Sequence, residues 1–124
     1  MAHPLKVAVH NSTRQTVLGT DVRVADTISS RLIGLLGRRG LAAGAGLLIH
    51  PSCAVHSLGM MFSIDVLFLD AEKKVIGLCA PLRPFRISGI YRRAECVLEL
   101  PAHAIRESGT QVGDTVSFEM LDAA

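Results

Sequence analysis

The chain has 124 residues, of which 49% are hydrophobic, 19% charged and 4% aromatic. That composition excludes a disordered chain, and the length fits one compact domain, 1–124, with an aliphatic core and many turns. A net charge of +2 is too small to imply a nucleic-acid partner, and three cysteines without paired spacing argue against a disulfide framework and for a reducing compartment.

The N-terminus, Met1 to Lys6, reaches a charge quickly and carries no long apolar stretch of the kind a secretion signal needs. The longest apolar run, Leu58 to Leu69, is interrupted by Gly59, Ser63 and Asp65. It falls short of the roughly 20 residues that cross a bilayer. These features predict a cytoplasmic protein with no membrane partner. No cofactor is called for.

Leu5, Val7 and Val9 alternate with Lys6, Ala8 and His10, a period of two that predicts a half-buried strand. Asn11 to Gln15 reads as a turn, and Val17 to Val24 as a second strand, broken at Gly19, that closes a hairpin. Asp26 offers a helix N-cap, and Ile28, Leu32, Leu35 and Leu36 follow at helical spacing. Gly37 and Gly40 bracket Arg38 and Arg39, which is helix C-terminal chemistry, so a helix is predicted over 27–37.

After the flexible stretch Ala42 to Gly46 comes an apolar strand, Leu47 to Ile49, stopped before Pro51. Ile64 to Leu69 and Val75 to Ala80 flank the turn Asp70-Ala-Glu-Lys73 and read as a hairpin. Cys96 to Leu100 is a strand ended by Pro101, and Ala102 to Glu107 a short helix. The turn Gly113-Asp114 launches a last strand, Thr115 to Met120, with Val116, Phe118 and Met120 on its apolar face. About seven short strands and one or two short helices predict a mainly β fold, an antiparallel sandwich or small barrel. An α+β sheet is the alternative class. There is no βαβ rhythm and no phosphate-binding glycine loop.

Alternation puts Asp65, Leu67 and Leu69 on one face of a strand and Ile64, Val66 and Phe68 on the other. Both faces are apolar, which predicts a central strand and a buried Asp65. That carboxylate either accepts backbone N–H bonds from a nearby loop or is a tuned acid or base. Glu99 shares a face with Val97 on its own strand. If the two strands are neighbours, Asp65 and Glu99 form a candidate carboxylate pair.

His50, Cys53 and His56 are spaced three apart, and adding a metal would need a second pair of ligands that is absent, so no metal site is predicted. Met60, beside Gly59, suits the lining of a cleft. Nucleophilic catalysis by Cys53 with His56 would need a third, orienting group. Arg83, Arg86, Arg92 and Arg93 lie in one segment without an acid and form a candidate anion-binding loop.

Taken in order, Cys53-x-x-His56-Ser57-x-x-Met60-x-Phe62-x-Ile64-Asp65-x-x-Phe68-Leu69-Asp70, then Cys96-Val97-Leu98-Glu99-Leu100-Pro101-Ala102, then Gly113-Asp114 resemble the domain of unknown function 192 family. Arg31-Leu-Ile-Gly34-Leu-Leu-Gly-Arg38, Leu41 and Gly46-Leu47-Leu48-Ile49 are similar to the same family, so the resemblance runs from about residue 20 to 120. It implies a small, mainly β prokaryotic domain and brings no activity, substrate or cofactor. His103 departs from the family pattern, which has Gly after Leu-Pro-Ala, and no aromatic precedes Met60.

Two functional readings follow. In the first, the protein is a non-catalytic binding or accessory domain for a small ligand or protein, with a shallow cleft formed by His56, Met60, Asp65 and Glu99. In the second, it is a small enzyme, such as a hydrolase, using Asp65 and Glu99 or Cys53 and His56. The missing nucleophile–base–orienter set favours the first.

Overall fold

A computed structural model describes residues 5–25, 40–55 and 61–121. The helix predicted over 27–37 lies outside the described residues, as do His56 and Met60. Seven strands follow in chain order: β1 (Lys6–Asn11), β2 (Thr16–Ala25), β3 (Ala45–Ile49), β4 (Ile64–Leu69), β5 (Val75–Leu82), β6 (Cys96–Pro101) and β7 (Val116–Met120). A short helix, α1 (Ala104–Ser108), separates β6 from β7.

All seven strands form one sheet, in the order β5-β4-β6-β3-β2-β1-β7. The sheet curls until its outer strands approach. Lys74 bridges Thr115, Val75 N donates to the Asp114 carbonyl at 2.8 Å, and Val116 N donates to the Lys73 carbonyl at 2.9 Å. The result is a half-barrel, the barrel form of the mainly β expectation. Curling shields the edge groups that a flat sheet leaves unpaired.

The β1–β2 and β4–β5 hairpins form as predicted, with the β1–β2 register slipping where Val9 meets Gly19. One pairing departs from the antiparallel expectation, since β2 and β3 run parallel, with Val22 beside Gly46 and Val24 beside Leu48. A parallel pair needs a long crossover, and residues 26–44 supply it.

β4 is buried along its whole length and lies between β5 and β6, so it is the central strand its two apolar faces predicted. Alternation divides the core in two. Leu67, Leu69, Leu98 and Leu100 pack with Val7, Val9, Leu18, Val22, Val75, Val116 and Ile105. This group fills the inside of the curl, since Val75 and Val116 come from the two ends of the sheet that meet there. Ile64, Val66, Phe68 and Val97 pack on the other face with Leu47, Ile49 and Val55, and Leu41, Phe62 and Tyr91 lie against them.

Along β7 the predicted apolar face holds only in part. Val116 is buried and Phe118 half-buried, but Met120 is 63% exposed. The strand is at the sheet's edge, so Met120, although paired with buried Val7, has a sheet neighbour on one side only.

Candidate functional site

The register of β4 against β6 decides what the two buried carboxyls can do together. Asp65 pairs with Leu100, and Val66 pairs with Glu99. Directly paired residues share a face and consecutive residues alternate. Asp65 therefore faces the interior of the curl, while Glu99 faces the side covered by Tyr91 and Val55. The strands are neighbours as the pairing idea required, but the two carboxyls point to opposite faces. They form no shared acid–base pair.

Asp65 has a structural partner. Its Oδ2 accepts a hydrogen bond from Ile105 N at 2.9 Å. That amide is in the first turn of α1, where backbone donors have no partner within the helix. The usual capping position is held by His103, whose side chain makes no cap bond and whose φ is +79. Asp65 thus supplies, from the central strand, the acceptor that His103 does not. The loop-capping alternative for Asp65 describes what it does here.

Glu99 has a different environment. Cys79, Val66, Glu99, Leu47 and Arg23 line up across β5, β4, β6, β3 and β2 on one face. The immediate neighbours of Glu99 in that row, Val66 and Leu47, are apolar. Its residue is 4% exposed; its carboxyl makes no hydrogen bond or ion pair among the described residues, and its oxygens keep a narrow contact with solvent, since among those residues no fully buried side-chain oxygen lacks a partner. Burial pushes its carboxyl up to about 7. Near neutral pH it is thus shared between an acid that donates a proton in a hydrogen bond and a carboxylate that only accepts.

The cysteines differ among themselves. Cys96 is buried in the core, and burial pushes its thiol up to about 11. Cys79 is half-buried; burial and then the charge of Asp65 raise its pKa. Its Sγ donates to the Pro81 carbonyl at 3.5 Å. Cys53 is half-buried, and its carbonyl accepts from Tyr91 N at 2.9 Å. His50 is exposed, with Nε2 3.7 Å from Glu95 Oε1. Among the described residues no three His, Cys, Asp or Glu side chains converge as metal ligands would.

In the arginine loop, Arg83 and Arg86 have contacts within the protein, and all four arginines are exposed. Phe85, Ile87 and Ile90 of the same loop are exposed as well.

Two features were missed in the sequence. The first is a buried polar network: Asp114 Oδ2 accepts from Asn11 Nδ2 at 2.9 Å, Arg14 Nε at 2.7 Å and Gln111 N at 3.0 Å. Asn11 Nδ2 also reaches Thr110 Oγ1 at 3.0 Å. The only hint was the turn chemistry of Asn11 and of Gly113-Asp114. The second is Tyr91, whose ring stacks on Phe68 with centroids 4.0 Å apart. It is the chain's one tyrosine, and Gly77 leaves the space for its ring. A cleft of about 470 Å³ also opens between the start of β2 and α1, lined by Thr16, Gly19, Gly44, Ala102, Glu107 and Ser108. Of the predicted cleft residues that are described, neither Asp65 nor Glu99 lines it.

The molecule is thus a small half-barrel with one satisfied buried carboxylate inside the curl and one unpartnered carboxyl on the opposite face. Its sequence matches the family model for domain of unknown function 192, described as "Uncharacterized ACR", over residues 8–118. The chain belongs to that family. It is 31% identical over 114 residues to a UPF0127 protein of Pyrococcus furiosus, covering 90% of this chain and 97% of that one. A UPF0127 protein of Pyrococcus abyssi is 33% identical over 102 residues, covering 78% and 85%.

Two solved structures share the fold. One, titled a putative transcription regulator from Sinorhizobium meliloti, has a TM-score of 0.78 at 22% identity over 94% of both chains. A protein of unknown function from Novosphingobium aromaticivorans has a TM-score of 0.77 at 19% identity, over 94% of this chain and 91% of that one.

Proposed function

We propose that the protein is a binding domain whose ligand is recognised on the sheet face that carries Glu99. The observation behind this reading is the unpartnered Glu99 carboxyl, 4% exposed between Val66 and Leu47. A carboxyl set among apolar side chains, with only a sliver of solvent and no protein partner among the described residues, is poorly solvated and open to a bond from a ligand. A ligand's hydroxyl, amide or amine would provide the missing bond. The surrounding apolar side chains would supply contact area, as ligand sites commonly do.

The enzymatic alternative has less support. Its carboxylate pair is split between the two faces, and the Cys53–His56 pair includes a residue outside those described. The test is a thermal-shift screen of small polar ligands against the wild type and Glu99→Leu. A ligand of the Glu99 face raises the melting temperature of the wild type and leaves the variant unmoved. Compounds that stabilise both proteins equally, with none selective for the wild type, would overturn the reading.

A further inference from the structure

The loop over 83–93 is held to the body of the protein at two points. Ser88 N donates to the Val55 carbonyl, and Val55 N donates to Ser88 Oγ, both at 2.9 Å. Tyr91 N donates to the Cys53 carbonyl at 2.9 Å while its ring stacks on Phe68. Although the backbone is anchored, Phe85, Ile87 and Ile90 stay 54%, 71% and 72% exposed. Three large apolar side chains kept out of the core on one fixed loop mark an interaction surface.

Phe85 provides an independent observation. Its φ is +59, in the left-handed region where Gly or Asn is the ordinary occupant and a bulky residue is strained. The Pro84–Phe85 turn holds an aromatic ring in solvent against that strain. Backbone outliers of this kind point toward function.

Charge indicates the partner. The loop carries four arginines and no acid. Since the whole chain is +2, everything outside the loop sums to −2. Arg83 and Arg86 have contacts within the protein, and Arg92 and Arg93 add exposed positive charge beside the apolar side chains.

We propose that this loop seats the protein on an anionic lipid surface. Phe85, Ile87 and Ile90 enter the boundary between headgroups and acyl chains, and the Arg92 and Arg93 guanidinium groups engage lipid phosphates. Apolar tips combined with cations are what interfacial binding needs. A single-stranded nucleic acid fits less well, because binding there relies on rings that stack with bases. Phe85 is the loop's single exposed ring, the two isoleucines offer none, and Tyr91 is already stacked on Phe68. The protein rests on the surface without crossing it; among the described residues no helix is long and apolar enough to span a membrane. This departs from the sequence expectation of no membrane partner, which weighed only leader and spanning segments.

The test is co-sedimentation of the full chain with vesicles of phosphatidylcholine alone and of phosphatidylcholine with phosphatidylglycerol, at low and high salt. The wild type is expected to bind the anionic vesicles at least tenfold more tightly than the neutral ones, and to weaken as salt screens the arginines. Ile87→Ser/Ile90→Ser is expected to lose at least tenfold in binding with its melting temperature unchanged. Phe85→Gly is the second variant: it relieves the strained φ, so it weakens binding while keeping or raising the melting temperature. Absence of wild-type binding to anionic vesicles overturns the proposal. So do binding that none of these substitutions alters, and binding to a single-stranded oligonucleotide without binding to vesicles.

Discussion

Glu99 lies directly across from Val66, and Asp65, one residue earlier on the same strand, faces the opposite side of the sheet. This one-residue offset gives the two carboxyls separate roles. Asp65 caps α1 through Ile105 N, and Glu99 is left almost wholly buried with no protein partner among the described residues.

Glu99 should make stability depend on pH. Burial raises its folded-state pKa to about 7 from an ordinary 4.5. The folded protein therefore holds a proton that the unfolded chain releases. Its contribution is fully present below about pH 4.5 and is lost as pH rises through about 7, roughly 3 kcal/mol in all. Urea unfolding between pH 5 and 8 should show wild-type stability declining while Glu99→Gln declines less. Parallel profiles for the two proteins would refute the assignment.

Asp65→Ala removes the acceptor for Ile105 N in a buried site. The expected cost is about 1–3 kcal/mol, with Asp65→Asn losing less because its side-chain oxygen still accepts. Amide hydrogen exchange should place the loss at Ile105 and through α1. Uniform exchange changes across the sheet, with α1 spared, would contradict the capping role.

His103 occupies a left-handed conformation, φ +79, and its side chain makes no cap bond. Glycine adopts that conformation without strain. His103→Gly should therefore stabilise the protein by about 0.5–1 kcal/mol, the part of the strain left after glycine's larger unfolded-state entropy. A lower melting temperature for the variant would show that His103 contributes something beyond its backbone.

Asp114 should act in the opposite pH range from Glu99. Burial works to raise its pKa, but hydrogen bonds from Arg14, Asn11 and Gln111 N outweigh it and bring the carboxyl down to about 2 from 3.8. Its contribution is present above about pH 4 and is lost as pH falls through about 2. Asp114→Ala should lower the melting temperature by several degrees at pH 7 and flatten the acid limb between pH 4 and 2. An unchanged acid limb would show that the network does not govern acid unfolding.

Gly77→Ala places a methyl group against the Tyr91 ring that stacks on Phe68. The collision should cost about 1–3 kcal/mol. In a Tyr91→Ala background the same change should cost much less, since the ring is gone. Equal costs in both backgrounds, read from chemical denaturation, would rule out this contact as the cause.

Periodicity made the strands legible. Ile64 to Leu69 was bounded correctly, and its two faces were assigned correctly, because alternation along a strand is set by the backbone alone. The turns after Asn11 and Asp70 were equally legible, since their residue types favour turns locally. Met120 was misjudged because a residue pattern records which face a side chain takes, while the sheet's extent decides whether anything covers it.

Local residue pattern is enough for the mainly β class, the hairpins, the centrality of β4 and the burial of Asp65. The parallel β2–β3 pair, the curl that joins Lys74 to Thr115, and the separation of Asp65 from Glu99 arise from long-range strand pairing. Each of these depends on register between strands distant in the chain. A shift of one residue would exchange every face assignment, and no local preference records such a shift.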